Sequence, residues 1–592
     1  MEQYKKFIHA IWLDFSHHWY YFLLVITGTN ILLEAIVIPL FRFSLSAVLQ
    51  LGNITYLSYT NALPLFIQHP FVALGLVVVV AVAILLFITF IQFVFVLRGI
   101  IQIKQHCFNL KTLVKEVYQV VTHTNWKTFS LFFCYLGFLL PFFNVFFLNS
   151  PLLSKLVFPK FIYDEIVNNP FYMTGFALII AGLFYIGIRS VFTLPELIIR
   201  PKGFRAALAL SWGRTNKRFF HYAIRYTWIA VTIFTISNAI YFGVYFLQMG
   251  FDLLPSPIPV TAVIINLTIV KIVHLLVNVF AVVAYSSVFL NELIVADEEE
   301  HVEPTRFTYR YKHWFLIAGV LLLTIYNGIS SADTIDKGTE TISHRGVTSG
   351  NGVQNTIPAM KKTIKYYQPD YIEMDVQETK DHKYVVVHDK NLKKLAGVDK
   401  KPQELTLKQL KKMTVRENGY EAKIASFDDY LKVANRHHQK LLVELKTSSS
   451  DSKEMVPRFI KQYEKNFEKN GHILQTLSHK AADELKQEDP EAFVSYILPF
   501  NFSFPTTDFD AYTMEQTTLN SSFIGKALMM NKKVYVWTVN DKKDMRQSLY
   551  LNVDGIITDE MGTLNQEIAA FEKEPTFAEF LLTYTTIYLE NE

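Results

Sequence analysis

Apolar residues follow two different rhythms along this chain, and the change between them falls near residue 332. Before it, long and nearly uncharged runs cover Trp19–Phe41, Phe71–Leu97, Phe129–Leu148, Phe171–Leu194, Ala223–Leu247, Val260–Leu290 and Trp314–Tyr326. A helix needs about 20 apolar residues to cross the hydrocarbon core of a bilayer. This half therefore predicts about seven transmembrane helices, the last reaching full length only by continuing through Asn327–Ala332. Phe43–Ile67 is apolar but interrupted by Gly52, Asn53 and Pro64, which predicts a surface or re-entrant piece, with an eighth span as the alternative.

After residue 332 the rhythm shortens. Strand-like runs at Thr341–His344, Tyr371–Val376, Tyr384–Val387, Lys440–Leu445, His472–Leu477, Ala492–Ile497, Val534–Val539 and Asp554–Thr558 alternate with helical patterns. The helices are expected at Asn355–Tyr367, Leu407–Met413, Lys453–Asn470, Lys480–Gln487 and Lys542–Leu549. Strands alternating with helices predict a parallel sheet, and the length fits an α/β (β/α)8 TIM barrel. The expected organisation is a polytopic α-helical membrane domain at 1–332, a linker at 333–340, the barrel at 341–565 and a helical extension at 566–592.

Composition agrees. The chain has 592 residues, of which 51% are hydrophobic and 15% aromatic, with a mean hydropathy of +0.21, unlike an ordinary soluble enzyme. The net charge of +4 is too small to argue for a nucleic-acid partner, and no basic-aromatic stripe supports one. Where the bases sit says more. Lys5 and Lys6 precede the first run; Arg98, Lys104, Lys111, Lys115 and Lys127 follow the second. Arg200, Lys202, Arg205, Arg214, Lys217 and Arg218 follow the fourth, and Arg306, Arg310 and Lys312 precede the seventh. The alternate loops are nearly neutral, so the positive-inside rule predicts an N-terminus inside and a C-terminal domain on the extracellular face of a multi-pass protein. The first run is too long for a signal core and lacks a small-residue cleavage site, so it is expected to stay as an anchor. Cys107 and Cys134 both lie in the membrane half, which leaves the outer domain without a disulfide. Glu34, Arg189, Arg225, Lys271 and His274 fall within or near spans; a functional role and a pairing role account for them equally well.

Four short motifs carry the candidate chemistry: His344-Arg345-Gly346, Glu373-Met374-Asp375, His388-Asp389 and Glu444-Leu445-Lys446. Each stands at the end of an apolar strand-like run, where a barrel of this class gathers its catalytic groups. Successive side chains of a strand face opposite ways, so Glu373 and Asp375 point together, as do Glu444 and Lys446. Three converging carboxylates suit a hard divalent cation such as Ca²⁺ or Mg²⁺, and the lack of a cysteine argues against structural zinc. Two histidines, three carboxylates, an arginine and a lysine are what metal-assisted phosphodiester cleavage needs. His437, His438, His472 and His479 are expected to be ordinary surface or core residues.

With these residues in view, the second half resembles the glycerophosphodiester phosphodiesterase family. The resemblance runs through Ser343-His344-Arg345-Gly346, Gln354-Asn355-Thr356, Ile372-Glu373-Met374-Asp375-Val376, Thr379-Lys380-Asp381 and Val387-His388-Asp389. It continues in Glu444-Leu445-Lys446, Val536-Trp537-Thr538-Val539-Asn540 and Asp554-Gly555-Ile556-Ile557-Thr558-Asp559. The multi-span half is similar to the membrane domain of some bacterial members. The resemblance implies that His344 and His388 are the general acid/base pair, that Arg345 holds phosphoryl oxygens, and that Glu373, Asp375 and Glu444 hold the metal. It implies further that Lys446 adds charge to the oxyanion and that Trp537 walls the glycerol, with Asn355 and Asp389 in support. Gln354 stands where the family usually has glutamate, and reads as a supporting contact whose exchange leaves activity but shifts metal affinity.

The function expected is a membrane-anchored, metal-dependent hydrolase. It would release glycerol 3-phosphate from glycerophosphodiesters or from polyglycerol-phosphate polymers such as lipoteichoic acid, with membrane lipids as its other partner. The alternatives are a glycerophosphate-recognising binding or transport protein, in which case a broken His344 or Glu444 would be expected, and a phospholipase-type phosphodiesterase of the same barrel class.

Overall fold

The computed structural model describes residues 2–51, 69–78, 89–124, 160–200, 203–294, 312–332, 338–499, 507–519, 521–573 and 577–591, with a few isolated positions besides. The expected span Phe129–Leu148, Cys134, residues 52–66 and the middle of Phe71–Leu97 lie outside these. The helical half begins with one long helical run, Glu2–Leu32 and Ile38–Leu51 joined by a π-helical turn at Leu33–Val37. The first helical run thus carries residues 43–51, against the expectation of a separate piece beginning at Phe43. Among the described residues, four helical runs are long and apolar enough to cross a membrane: Tyr4–Leu51, Pro170–Ile199, Phe219–Asp252 and Ile258–Leu293. The helix Lys312–Ala332 does continue through Asn327–Ala332.

Helix starts follow local chemistry. The Asn169 side chain accepts from the amides of Phe171 and Tyr172, with Pro170 in the first turn, so groups that a helix N-terminus leaves unpaired are satisfied. Arg225, Lys271 and His274 each have a polar partner. Arg225 stands 3.8 Å from Glu292, Lys271 donates to Asn327 at 2.7 Å, and His274 lies 3.2 Å from the Tyr241 hydroxyl. An ion in a low-dielectric interior is costly unless partnered.

The second half is a closed barrel. Its strands are β1 (Glu340–Ser343), β2 (Tyr371–Glu378), β3 (Tyr384–Val386), β4 (Thr414–Glu417), β5 (Tyr420–Lys423), β6 (Ala425–Ser426), β7 (Lys440–Leu445), β8 (Ile473–Thr476), β9 (Val494–Leu498), β10 (Ala511–Glu515), β11 (Lys533–Trp537) and β12 (Gly555–Thr558). The order β1-β12-β11-β10-β9-β8-β7-β2 is parallel throughout, and β2 pairs with β1 to close eight strands into a ring. Three differences from the expected strands matter. β3 runs antiparallel to β2 and lies outside the ring; β4 and β5 form an unexpected hairpin; and β10 supplies the ring strand that the sequence pattern left out. The helix Met561–Lys573 runs across the expected boundary at 565, and a separate helix, Phe577–Asn591, follows it.

Side-chain alternation sorts the strands into two apolar layers. Ile372, Met374, Val376, Leu441, Val443 and Leu445 face outward and pack under the surrounding helices. Fully burying a side chain such as Met374 stabilises the fold by ~1.5–3 kcal/mol. Ile342, Tyr371, Leu442, Ile473, Ala511, Tyr535 and Ile557 fill the interior. They form an apolar floor beneath the polar groups at the carboxyl ends of the strands.

Candidate active site

Three carboxylates rise from that floor. In the register of β2 against β7, Asp375 stands directly beside Glu444, and Glu373 lies two residues earlier on the same face of β2. Ligand oxygens of Glu373, Asp375 and Glu444 all lie within 4.8 Å of one another, and all three residues are buried. Such a cluster would repel itself without cations. Lys446 supplies one, its Nζ 3.1 Å from Asp375 and 3.4 Å from Glu444. Arg345 supplies the second: its amide donates to Glu373 at 2.8 Å and its Nε lies 3.8 Å from Asp375.

The electrostatics divide the three acids. Burial, with Asp375 and Glu444 beside it, pushes the Glu373 carboxyl well above the usual glutamate range. Burial raises Glu444 as well, against the pull of Lys446. Burial would also raise Asp375, but Lys446, Arg345 and His388 outweigh it and hold that carboxyl below the ordinary aspartate range. Burial works against the Lys446 cation, yet Asp375 and Glu444 raise its pKa. An all-oxygen donor set with two reluctant carboxylates is short of positive charge. Glu444 Oε1, buried, accepts no hydrogen bond. The residues present therefore fit a hard divalent cation.

The loop after β1 is shaped for close approach. Arg345 has φ 51° and Gly346 has φ 66°, both in the left-handed region. A Cβ on Gly346 would meet the Tyr430 hydroxyl at 2.8 Å, so only glycine fits there. Strain of this kind in Arg345 persists where surrounding contacts hold it, and here they do. Its guanidinium donates to Gln354 Oε1 at 2.7 Å. Gln354 in turn donates from Nε2 to Glu417 at 2.6 Å, and its backbone amide donates to the same carboxylate at 2.9 Å. Gln354 thus stands outside the acidic cluster and steadies Arg345. Asn355 exchanges two hydrogen bonds with Asp375, donating from Nδ2 at 2.8 Å and accepting from the Asp375 amide at 3.1 Å.

Both histidines are held by carboxylates. His344 Nδ1 lies 2.8 Å from Asp559 Oδ1. Asn540 anchors Asp559 by donating to its other oxygen at 2.9 Å and accepting from its amide at 2.8 Å. The His344 bond helps to keep the Asp559 carboxyl below the usual range against the opposing effect of burial. His388 Nδ1 lies 3.1 Å from Asp389, and that bond lowers the Asp389 pKa. His388 reaches the mouth because antiparallel β3 turns the chain back, the Val387 amide donating to the Asp375 carbonyl at 3.1 Å. Trp537 closes the far wall at the end of β11, its indole donating to the Thr513 carbonyl at 3.3 Å.

Every residue expected at the site from the sequence is thus at or beside this one opening. Asp559, Asn540 and Glu417 join the site without an expected role. Asp559 and Asn540 follow β12 and β11, so the same strand-end rule marks them. Glu417 is on the hairpin and has no such signal. Of the remaining histidines, His472 is a core residue whose Nδ1 accepts from the Leu441 amide at 3.0 Å, and burial lowers its pKa to about 4.

A parallel barrel with two carboxylate-held imidazoles and an acidic cluster at its carboxyl end defines the class: an enzyme that cleaves phosphate esters. Comparison with known proteins narrows it. Residues 8–328 match the membrane domain of glycerophosphoryl diester phosphodiesterase, and residues 344–563 match the glycerophosphoryl diester phosphodiesterase family. The chain belongs to that family, as a phosphoric diester hydrolase with a membrane domain of its own. YhdW of Bacillus subtilis (strain 168) is 30% identical over 234 residues, 37% of this chain and 93% of its own length. A glycerophosphodiester phosphodiesterase of Caldanaerobacter subterraneus subsp. tengcongensis is 27% identical over 235 residues, 38% of this chain and 95% of its own. A phosphodiesterase of Oleispira antarctica, solved with the product sn-glycerol-3-phosphate, covers 39% of this chain and 96% of its own at 18% identity, with a TM-score of 0.36.

Proposed function

We propose that this protein is a membrane-anchored, metal-dependent phosphodiesterase that hydrolyses glycerophosphodiesters, or glycerol-phosphate polymers such as lipoteichoic acid, and releases glycerol 3-phosphate. The observation that carries this reading is the pairing of the acidic cluster with two carboxylate-held imidazoles at one mouth. Arg345 and Lys446 bind and orient the phosphoryl oxygens, Arg345 through its planar fork. His344 and His388 divide the proton work, one taking the proton of the attacking hydroxyl and the other giving one to the leaving alkoxide. Trp537 covers the apolar edge of the glycerol and excludes water. Glu373, Asp375 and Glu444 would hold Ca²⁺ or Mg²⁺, which when bound polarises the phosphate and neutralises developing charge.

The membrane reading rests on the four long apolar helices and the matched membrane domain. The loop charges favour the outer face for the barrel, away from cytoplasmic glycerophosphodiesters.

The test of activity is glycerol 3-phosphate release by the purified full-length protein from a panel of glycerophosphodiesters and polyglycerol phosphates. His344→Ala and His388→Ala should each lower kcat by ~10²–10⁴-fold; full activity in a folded His344→Ala variant removes the assigned chemistry. Sidedness is read by labelling Ser449→Cys on intact cells with an impermeant thiol reagent after Cys107 and Cys134 are replaced. Labelling only after permeabilisation would place the barrel inside and remove the polymer substrate with it.

A further inference from the structure

The helix Phe577–Asn591 lies beyond both matched regions, which end at residues 328 and 563, and it does not pack on the barrel alone. Residues 580–589 carry no charge. Leu581 and Tyr584 are buried with Val244, Val263, Leu267 and Val270 of the two long apolar helices Phe219–Asp252 and Ile258–Ile294. The Ala578 amide donates to Asp252 at 2.9 Å, where the first of these helices ends. Further along, Lys271 Nζ stands 5.1 Å from the centre of the Tyr584 ring. Lys271 lies ~20 Å along its helix from Ile258, at 1.5 Å per residue. The helix therefore starts beside the loop that joins the two apolar helices and runs down their groove. On the barrel side, Phe580 packs on Tyr550 at 5.4 Å and Phe571 on the same ring at 5.2 Å.

Strand polarity fixes what this does to the active site. The chain enters the barrel at Glu340, the amino end of β1, only eight residues after Ala332. Eight residues span at most ~29 Å, which bounds how far the entry point can lie from the end of the last apolar helix. The exit is at the same rim. Helix Met561–Lys573 leaves the mouth after Asp559 and descends outside the barrel, and Tyr550 ends the helix that leads into the amino end of β12. The catalytic groups are at the opposite, carboxyl rim, four residues on from Glu340 to His344 and from Lys440 to Glu444, or ~13 Å along the strand.

We propose that the Phe577–Asn591 helix is a membrane-embedded anchor that seats the barrel on its amino-terminal rim. The active-site mouth then opens away from the bilayer and takes glycerophosphodiester units held clear of it, not the headgroups of neighbouring lipids. This rests on the reading of the helical half as membrane-spanning. A headgroup phosphate would have to rise by about the height of the barrel to meet Arg345, and the docked helix, packed on both the apolar helices and Tyr550, holds the amino rim toward the bilayer. A polymer chain or a soluble diester meets no such barrier.

The test uses the full chain, with Cys107 and Cys134 replaced by serine, reconstituted in phosphatidylcholine–phosphatidylglycerol vesicles. A fluorophore is placed at Lys394→Cys near the mouth, at Lys469→Cys on the amino rim, or at Phe234→Cys on an apolar helix. A headgroup-attached quencher should quench the Lys469 label severalfold more than the Lys394 label. Equal quenching, or stronger quenching at Lys394, overturns the orientation. Oxidation of an Asp252→Cys/Ala578→Cys pair should give an intramolecular disulfide, and its failure to form overturns the docking of the helix. An acyl-chain quencher should reach the Phe234 label; if it does not, the membrane reading falls, a failure separate from the other two. The same vesicles should turn over glycerophosphoglycerol at least ~100-fold faster than their own phosphatidylglycerol, and comparable rates overturn the claim about access.

Discussion

Replacing Asp559 by asparagine tests a catalytic contact by changing proton position without changing shape. The carboxylate accepts the Nδ1 proton of His344 across 2.8 Å, which leaves Nε2 free to face the mouth as a base. An asparagine amide can instead donate to Nδ1, favouring the tautomer with the proton on Nε2, where no base remains. A hydrogen bond to a charged group contributes ~1.5–3 kcal/mol, equivalent to about 10- to 150-fold in rate at ~1.4 kcal/mol per decade. The Asp559 side chain is 42% exposed, so solvent screening places the bond itself in the lower part of that range, and the tautomer change adds to it. Asp559→Asn should therefore lower kcat on the order of 30-fold or more. KM should hardly move, because Arg345 and Lys446, not His344, bind the ground-state phosphate. Asn540→Ala frees the carboxylate to rotate and should cost only ~0.5–1.5 kcal/mol, a few-fold to about tenfold. Steady-state kinetics on a soluble glycerophosphodiester, with circular dichroism to confirm folding, decides it. A folded Asp559→Asn enzyme within threefold of the unsubstituted kcat would refute the role given to this pair.

Three further outcomes follow from the same geometry. Chelation should abolish turnover and Ca²⁺ or Mg²⁺ should restore it; activity that persists in excess chelator would remove the metal from the reaction. Glu373 and Glu444 hold their protons more tightly folded than unfolded, so without a cation their stabilising contribution is full below the ordinary glutamate range and is lost as pH rises through the raised folded values. Apparent cation affinity should accordingly rise with pH, and the melting-temperature gap between metal-loaded and metal-free protein should widen from pH 5 to pH 8 by differential scanning fluorimetry; a constant gap contradicts this. Gln354→Glu sets a carboxylate against Glu417, to which Nε2 now donates at 2.6 Å, and should weaken activity while leaving the acidic cluster intact. Adding Glu417→Gln should recover most of the loss, and a double mutant no better than the single one would show that the two side chains do not act together.

How much was legible in the sequence depended on how local the determinant was. Glu373 and Asp375 were readable as a pair because strand alternation is a property of the backbone, and the pairing of Asp375 with Glu444 follows once two parallel strands are aligned. β10 was lost because Ala511–Glu515 offers a short run with no flanking pattern to set its period. The hairpin is a different case. Asn418-Gly419, with φ of 52° and 77°, is a strong two-residue turn signal between Thr414–Glu417 and Tyr420–Lys423. It was passed over because those strands are partly exposed and lack an apolar face, so hydrophobic periodicity had nothing to register. With the hairpin went Glu417, and with Glu417 the reason that Gln354 needs an amide at this position.

Gln354 then reads as a consequence of its neighbour and not as decay of the metal site. The position carries one acceptor toward Arg345 and one donor toward Glu417, which an amide supplies and an ionised carboxylate does not. A glutamate could accept from Arg345 but would meet a second carboxylate at hydrogen-bonding distance. Gln354 and the hairpin carboxylate therefore form one unit, in which the negative charge lies at the rim on Glu417 while Arg345 has a neutral acceptor. The three buried carboxylates below make no contact with that unit except through Arg345, which stays beside Glu373 and Asp375.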